Sequence, residues 1–338
     1  MSERNEKKDK GNKPTPVGMR SSSLGFTPLS TMYSYQAYGL EIISDFSLPE
    51  LPALNFQKAK NPLRIVSRKL NLPPLENARI PRQGLEAWFG GSPQEAYLRW
   101  PGVASFKAVQ GNLLFVDPDW ADISDEILNL YILSEALGLI LFQRGLFLLH
   151  ASAVYLEERI VIFIGMPGAG KSTTAAAFSQ KGYPVLSDDM VAITFDSCNQ
   201  PIVVPGFPQI KIWPSSVEGL GLSDNNLPSL YEGSRKQVIR QFDNFPLVPI
   251  PLAHIFFLEQ GETVAVEPFS AASALMALTR FFPCPAGLLQ GDSLATHFEQ
   301  CDRLLKTIPI SKLVRSSCFA NLDKIIQLVE GTVAAPCY

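Results

Sequence analysis

The sequence predicts a mixed chain, α+β or α/β, with a smaller β-rich N-terminal domain ahead of a larger domain of strands and helices. Three observations carry this. Between about 31 and 120, short apolar runs are punctuated by Gly90-Gly91, Pro101-Gly102 and Gly111-Asn112, a hairpin pattern. From Ser124, apolar residues fall near helical spacing and then give way to strand-like runs. The apolar run Ile160 to Ile164 meets a glycine-rich loop, a helix-forming stretch and another apolar run, the order of a βαβ-like unit.

Residues 1–30 are polar, rich in Lys, Ser and Pro, and poor in apolar residues. They read as a disordered tail. The β-rich domain is expected over 31–123, with strands near 39–43, 63–66, 96–100 and 113–116. The second domain is expected over 124–335. Ser124 offers a helix N-cap, and Ile127, Leu128, Tyr131, Leu133, Leu137, Ile140 and Leu141 form the apolar stripe of a buried helix that Gly145 closes. Strands follow at 146–149, 153–155 and 160–164, then a helix over 171–180 ended by Gly182, and a strand at 184–186. Further strands are expected at 202–204, 255–258 and 264–266. Helices are expected at 270–280, 293–306 and 320–330, with Ser270, Ser293 and Asn321 as caps. The stretch Pro214 to Pro251 shows few periodic signals and reads as loops able to close over a substrate.

The composition narrows the function. Of 338 residues, 46% are hydrophobic and 18% charged, and the net charge is -3. This is a globular composition without the basic footprint of a nucleic-acid binder. The charged N-terminus has no apolar segment of a secretory signal. The longest apolar stretch, Ile127 to Leu149, carries Glu135 and Arg144, which a membrane span tolerates poorly. Five widely spaced cysteines without a C-x-x-C pair fit a reducing cytoplasm.

Gly165-Met166-Pro167-Gly168-Ala169-Gly170-Lys171-Ser172 fits G-x-x-x-x-G-K-[ST] in full, between an apolar strand and a helix. Glycines let backbone N–H groups approach phosphates, and the helix N-terminus adds partial positive charge. The pattern assigns these residues and Thr173 to ATP or GTP, with Lys171 on the β- and γ-phosphates and Ser172 on Mg²⁺. Ser187-Asp188-Asp189 follows the next strand, at the C-terminal end that faces the ligand in open α/β sheets. Two adjacent acids there can divide metal binding and proton acceptance. His150 closes another apolar run, whose strand is expected near the loop strand, while His254 and His297 read as structural. Ser152 lacks the surroundings of a nucleophile elbow.

Leu149-His150-Ala151, the loop Gly165 to Ser172, Gly182 and Asp188-Asp189 together resemble the catalytic domain of the HPr kinase/phosphorylase family, related in fold to phosphoenolpyruvate carboxykinase. His150 stands 21 residues before Lys171 and Asp189 18 after it, spacings similar to the family's. The resemblance implies a phosphate-binding Lys171, a Mg²⁺ ligand at Ser172 with Asp188 beside the metal, Asp189 as proton acceptor and His150 as its support. Ser172-Thr173 stands where the family has Ser-Glu, and Gly206 to Pro214 replaces its metal-binding Glu and Arg-Gly turn. The segments 149–154, 208–214 and 251–259 look more similar to HPr-kinase-like enzymes encoded with peptide natural products, including lasso peptide kinases.

The expected function is therefore an ATP- and Mg²⁺-dependent kinase acting on a Ser/Thr hydroxyl of a peptide or small protein, without nucleic acid or membrane, with a homo-oligomer admitted. Lys211, Lys236 and Arg240 are candidates for an anionic substrate or phosphate. A small-molecule kinase acting on free serine, a carboxykinase-like enzyme and a non-catalytic nucleotide sensor stand as alternatives.

Overall fold

The computed structural model describes residues 32–54, 59–82, 84–119, 123–223 and 226–334. The expected disordered tail, 1–30, lies outside the described residues. The described residues form one compact unit, a mixed α+β fold containing several sheets.

The first sheet has eight strands: β1 (Tyr33–Ala37), β2 (Leu40–Ser44), β3 (Leu63–Ser67), β4 (Glu76–Arg82), β5 (Leu85–Gly91), β6 (Glu95–Trp100), β7 (Ala104–Val109) and β8 (Leu113–Pro118). Their spatial order is β1-β2-β3-β8-β7-β6-β5-β4. Alternation decides the faces: in β6, Ala96, Leu98 and Trp100 are buried while the residues between them are not. That face packs on the helical segment 125–143, with Trp100 against Tyr131 at 5.0 Å between ring centres.

That segment is not the continuous helix the sequence suggests. It divides into α1 (Asp125–Tyr131), a π turn over Ile132–Ala136, and α2 (Leu137–Gln143). The cause sits at Ser134, whose hydroxyl donates to the Leu130 carbonyl at 2.6 Å and whose backbone leaves the helical region (φ -106°, ψ -115°). A serine bonded back into its own helix competes with the main-chain ladder and bends it. Gly145 follows the helix with φ 78°, a left-handed exit suited to glycine.

The second sheet follows: β9 (Phe147–Leu149), β10 (Ser152–Leu156), β11 (Arg159–Ile164), β12 (Val185–Asp188), β13 (Val191–Phe195) and β14 (Pro201–Val204), with α3 (Lys171–Gln180) between β11 and β12. After β15 (Gln209–Ile212), α4 (Pro214–Gly219) and β16 (Gln237–Arg240), it is completed by β17 (Ile250–Gln260), β18 (Ala265–Pro268) and β19 (Ile310–Arg315). The remaining helices are α5 (Ala271–Arg280), α6 (Asp292–Thr307) and α7 (Leu322–Ala334). The sheet order is β12-β10-β11-β17-β14-β13-β9, with β19 also beside β17 and β18 beside β19. Strands β11, β17 and β19 are parallel. β11 and β12 are not neighbours: β10 lies between them, antiparallel to both.

β11 explains the layering. Val161 and Phe163 join the core beneath α3 and α7, whereas Ile160, Ile162 and Ile164 join the core beneath α5 and α6. A strand covered on both faces is apolar at successive positions. α3 approaches the sheet through Ala175, Ala176 and Ala177, side chains small enough to bring its N-terminus close to the strand ends.

Two expectations differ in detail. Pro214 to Pro251 is not wholly loop: it holds α4 and β16, and β16 pairs with β15 through Lys211↔Val238. Their shortness hides any period. Ser293 is not the cap of α6. The helix starts at Asp292 after a left-handed Gly291, and Asp292 suits the positive end of the helix dipole. Among the described residues no helix is long and apolar enough to cross a membrane.

Candidate active site

The loop after β11 is shaped by its own turns. Gly168 and Gly170 take φ 83° and 96°, values costly for residues with a Cβ. The Ala169 N–H donates to the Met166 carbonyl, and the Thr174 N–H to Gly170, which begins α3. The free N–H groups of the first helical turn therefore point toward the cleft above the loop. Lys171 is 9% exposed and its ammonium donates to the Gly165 carbonyl at 2.8 Å. Burial lowers its pKa, while Asp188 and Asp189 oppose that shift.

Asp188, the last residue of β12, is buried and accepts three hydrogen bonds. One carboxylate oxygen accepts from the Ser152 and Ser172 hydroxyls at 2.6 and 3.0 Å, and the other from the Lys211 N–H at 3.0 Å. Ser172 and Asp188 thus present hard oxygen donors side by side, which suits Mg²⁺ with water and phosphate filling its remaining positions. Among the described residues no group of three or more His, Cys, Asp and Glu side chains could hold a metal by itself.

Asp189 turns away with φ 84°, a conformation Asp tolerates better than most residues and one that clusters at functional sites. Its carboxylate meets Lys211 Nζ at 2.9 Å, Arg82 Nη1 at 3.7 Å and His150 Nδ1 at 3.8 Å. Burial works against ionisation, but Lys211, Arg82 and His150 outweigh it and hold the carboxyl well below its usual range. His150 Nδ1 lies 2.9 Å from the Asp189 carbonyl oxygen. A carbonyl only accepts, so the proton is on Nδ1 and Nε2 keeps a lone pair. Burial lowers the His150 pKa, with Asp189 opposing. The imidazole is neutral near pH 7 and holds the backbone of Asp189 in its unusual turn.

The first sheet supplies parts that no local pattern announces. Arg82, at the end of β4, bridges Asp189 and Glu135 of the π turn, meeting Glu135 at 2.7 Å. Tyr38, in the β1–β2 turn, donates to the Met190 carbonyl at 3.0 Å and lies 3.4 Å from the Ser187 hydroxyl. Gly206 makes room for it, since a Cβ there would sit 2.9 Å from the Tyr38 oxygen.

Three cavities meet at Asp189: one of about 460 Å³ on Trp213, Tyr231 and Lys236, and two that also share His150. Of these two, one of about 620 Å³ lies over Gly168, Gly170, Lys171, Ser172 and Thr173 and is also lined by Lys236 and Arg315. The other, of about 310 Å³, is lined by Tyr38, Arg79, Glu135, Met166, Phe207 and Phe282. Pro167, Arg82, His150, Asp188, Asp189 and Lys211 line both. Gly165 and Ala169 shape the loop from beneath. Lys236 stacks over Trp213 at 5.2 Å. Arg240 points elsewhere, to Gln209 at 3.2 Å and Glu50 at 3.6 Å. His254 bonds Ser311 at 3.0 Å, and His297 stacks on Phe147.

No family model and no curated protein matches the chain. Among solved structures, the Hpr(Ser) kinase/phosphatase from Coxiella burnetii is similar over 55% of this chain and 95% of its own, at 13% identity and a TM-score of 0.28. A likeness of that size establishes neither the fold nor the activity.

Proposed function

We propose that this chain is an ATP- and Mg²⁺-dependent phosphotransferase whose acceptor is a serine or threonine hydroxyl on a peptide or small protein. The observation that carries the reading is the position of Asp189 on both cavities that share His150. A group transferred from the loop cleft to an acceptor in the other cavity must pass it. The loop sequence and its resemblance to the HPr-kinase-like enzymes assign the loop cleft to the nucleotide.

Lys171 would leave the Gly165 carbonyl to meet the β- and γ-phosphates, joined by the N–H groups of the first turn of α3. Ser172 and Asp188 would hold Mg²⁺, which neutralises developing charge on the transferred group. Asp189, ionised at neutral pH, would orient the acceptor hydroxyl and take its proton as the oxygen–phosphorus bond forms. His150 keeps Asp189 in place, and Lys211 ties the two carboxylates together. A peptide acceptor is favoured by the apolar lining of the smaller of these two cavities, where Met166 is 42% exposed beside Phe207 and Phe282. The lasso-type precursors that the resemblance suggests carry such a serine.

The test is a transfer assay with γ-labelled ATP, Mg²⁺, peptides encoded by neighbouring genes, and free serine. Label should appear on a peptide hydroxyl and vanish in Lys171→Ala. Label on free serine alone would replace this reading with a metabolite kinase, and bound ATP without any transfer would make the protein a nucleotide sensor.

A further inference from the structure

The least explained charge in the loop cleft belongs to Arg315. It is the last residue of β19, which runs parallel to β17 and hence to β11. All three strands therefore point the same way, and Arg315 comes out beside the loop that follows β11. The residue is 7% exposed. Its Nη1 is buried without a hydrogen-bond partner among the described residues. Its Nε donates to the neighbouring Ser316 carbonyl at 3.3 Å. No ion pair involves it among the described residues. A buried guanidinium without a counter-charge is costly and is normally paired.

Gly170 marks where this charge presses. A Cβ on Gly170 would sit 1.8 Å from Arg315 Nη1, so the guanidinium occupies the space that any other residue at 170 would fill. Arg315 lines the same cleft as Lys171, Ser172 and Lys236. Five cations line this cleft; Arg82 and Lys211 pair with Asp189, and a buried guanidinium left without a partner beside Lys171 is arranged for a polyanion. The planar fork of arginine matches phosphate oxygens better than a point charge does.

We propose that Arg315 is a further phosphate-binding residue of this cleft, reaching the nucleotide from β19 on the far side of Gly170 from the Ser172–Asp188 pair. This rests on the nucleotide reading above, and the experiment separates the two. Calorimetric titration with ATP, adenosine and inorganic phosphate is run on the wild type, Arg315→Gln and Arg315→Lys, with melting curves of each without nucleotide. In Arg315→Gln, ATP affinity should fall roughly ten- to hundredfold, the scale of a lost charge-assisted hydrogen bond. Adenosine binding should stay unchanged, and the nucleotide-free protein should melt at the same temperature or higher, because an unpaired buried charge has gone. Arg315→Lys should fall between. If inorganic phosphate alone binds, and does so through Arg315, the site takes free phosphate and the nucleotide assignment of this residue is overturned. ATP affinity within twofold of wild type in Arg315→Gln, or a lower melting temperature with unchanged affinity, would mark Arg315 as structural and overturn the inference while leaving the loop reading intact. Wild type that binds ATP no better than adenosine would overturn both.

Discussion

Asp189→Asn isolates the proposed chemistry from the fold. Asparagine has nearly the same shape and, like aspartate, accepts a left-handed backbone, so φ 84° adds no new strain. The His150 bond goes to the Asp189 carbonyl and survives. What disappears is one negative charge 2.9 Å from Lys211 and 3.7 Å from Arg82. Arg82 keeps Glu135, so Lys211 bears most of the loss. Removing one partner of a buried pair costs about 3–5 kcal/mol. Asp189 is 24% exposed on its side chain, and solvent reduces the expected cost to about 1–2 kcal/mol. Because the neighbouring cations depress the Asp189 carboxyl, that stability is present above the ordinary carboxylate range and is lost as pH falls through the depressed value. Loss of a proton acceptor should slow transfer by about 10²–10⁴-fold, or roughly 3–5 kcal/mol in barrier. ATP affinity should hold within about threefold, since Lys171 bonds to the Gly165 carbonyl and Ser172 to Asp188, neither of them directly to this carboxylate. Single-turnover transfer and calorimetric ATP binding on the same preparation give both numbers. Transfer within tenfold of wild type would remove Asp189 from the mechanism, and a fall in ATP binding as large as the fall in transfer would show that the substitution acts through the fold.

Gly170→Ala should abolish ATP binding measured by calorimetry and lower stability by about 1–2 kcal/mol from backbone strain alone, with more from displacing Arg315; a variant that binds normally would mean the loop is looser than its geometry. His254, buried and stacked 4.1 Å from Phe256, has its pKa lowered to about 4 by burial. The unfolded chain therefore binds its proton first, and up to about 3 kcal/mol of stability should be lost as pH falls from roughly 6.5 to 4. His254→Phe should flatten the pH dependence of the melting temperature across that window, to which His150 and His297 also contribute by burial; an unchanged slope would contradict it.

Parts of the site governed by local chain geometry were legible in the sequence. The glycine-rich loop needs left-handed residues and a helix start within a few positions, and Asp188-Asp189 needs only the end of a strand. These constraints act over a few residues and leave a pattern. Tyr38, Arg82 and Arg315 were not legible because each reaches the site through strand pairing far away in sequence. β4 and β19 carry no clear strand signal in the sequence, and their terminal arginines look like ordinary surface charge until the register places them. In the sequence Glu135 reads only as a charge unsuited to a membrane, yet the π turn at Ser134 sets it beside Arg82. Arg240 shows the converse: its sequence neighbourhood suggested an anion site, and the fold ties it to Glu50.

The turn between β1 and β2 has a consequence for how such a chain can change over time. With Tyr38 bonded to the Ser187–Met190 bend and Arg82 beside Asp189, the eight-stranded sheet is a structural part of the candidate site. A gene fragment starting at residue 124 would keep the whole glycine-rich motif and still lack two of the supports that aim its acid. A recombinant that exchanged the first sheet for a foreign module would have to supply a tyrosine hydroxyl and a guanidinium at the same two points to keep these contacts.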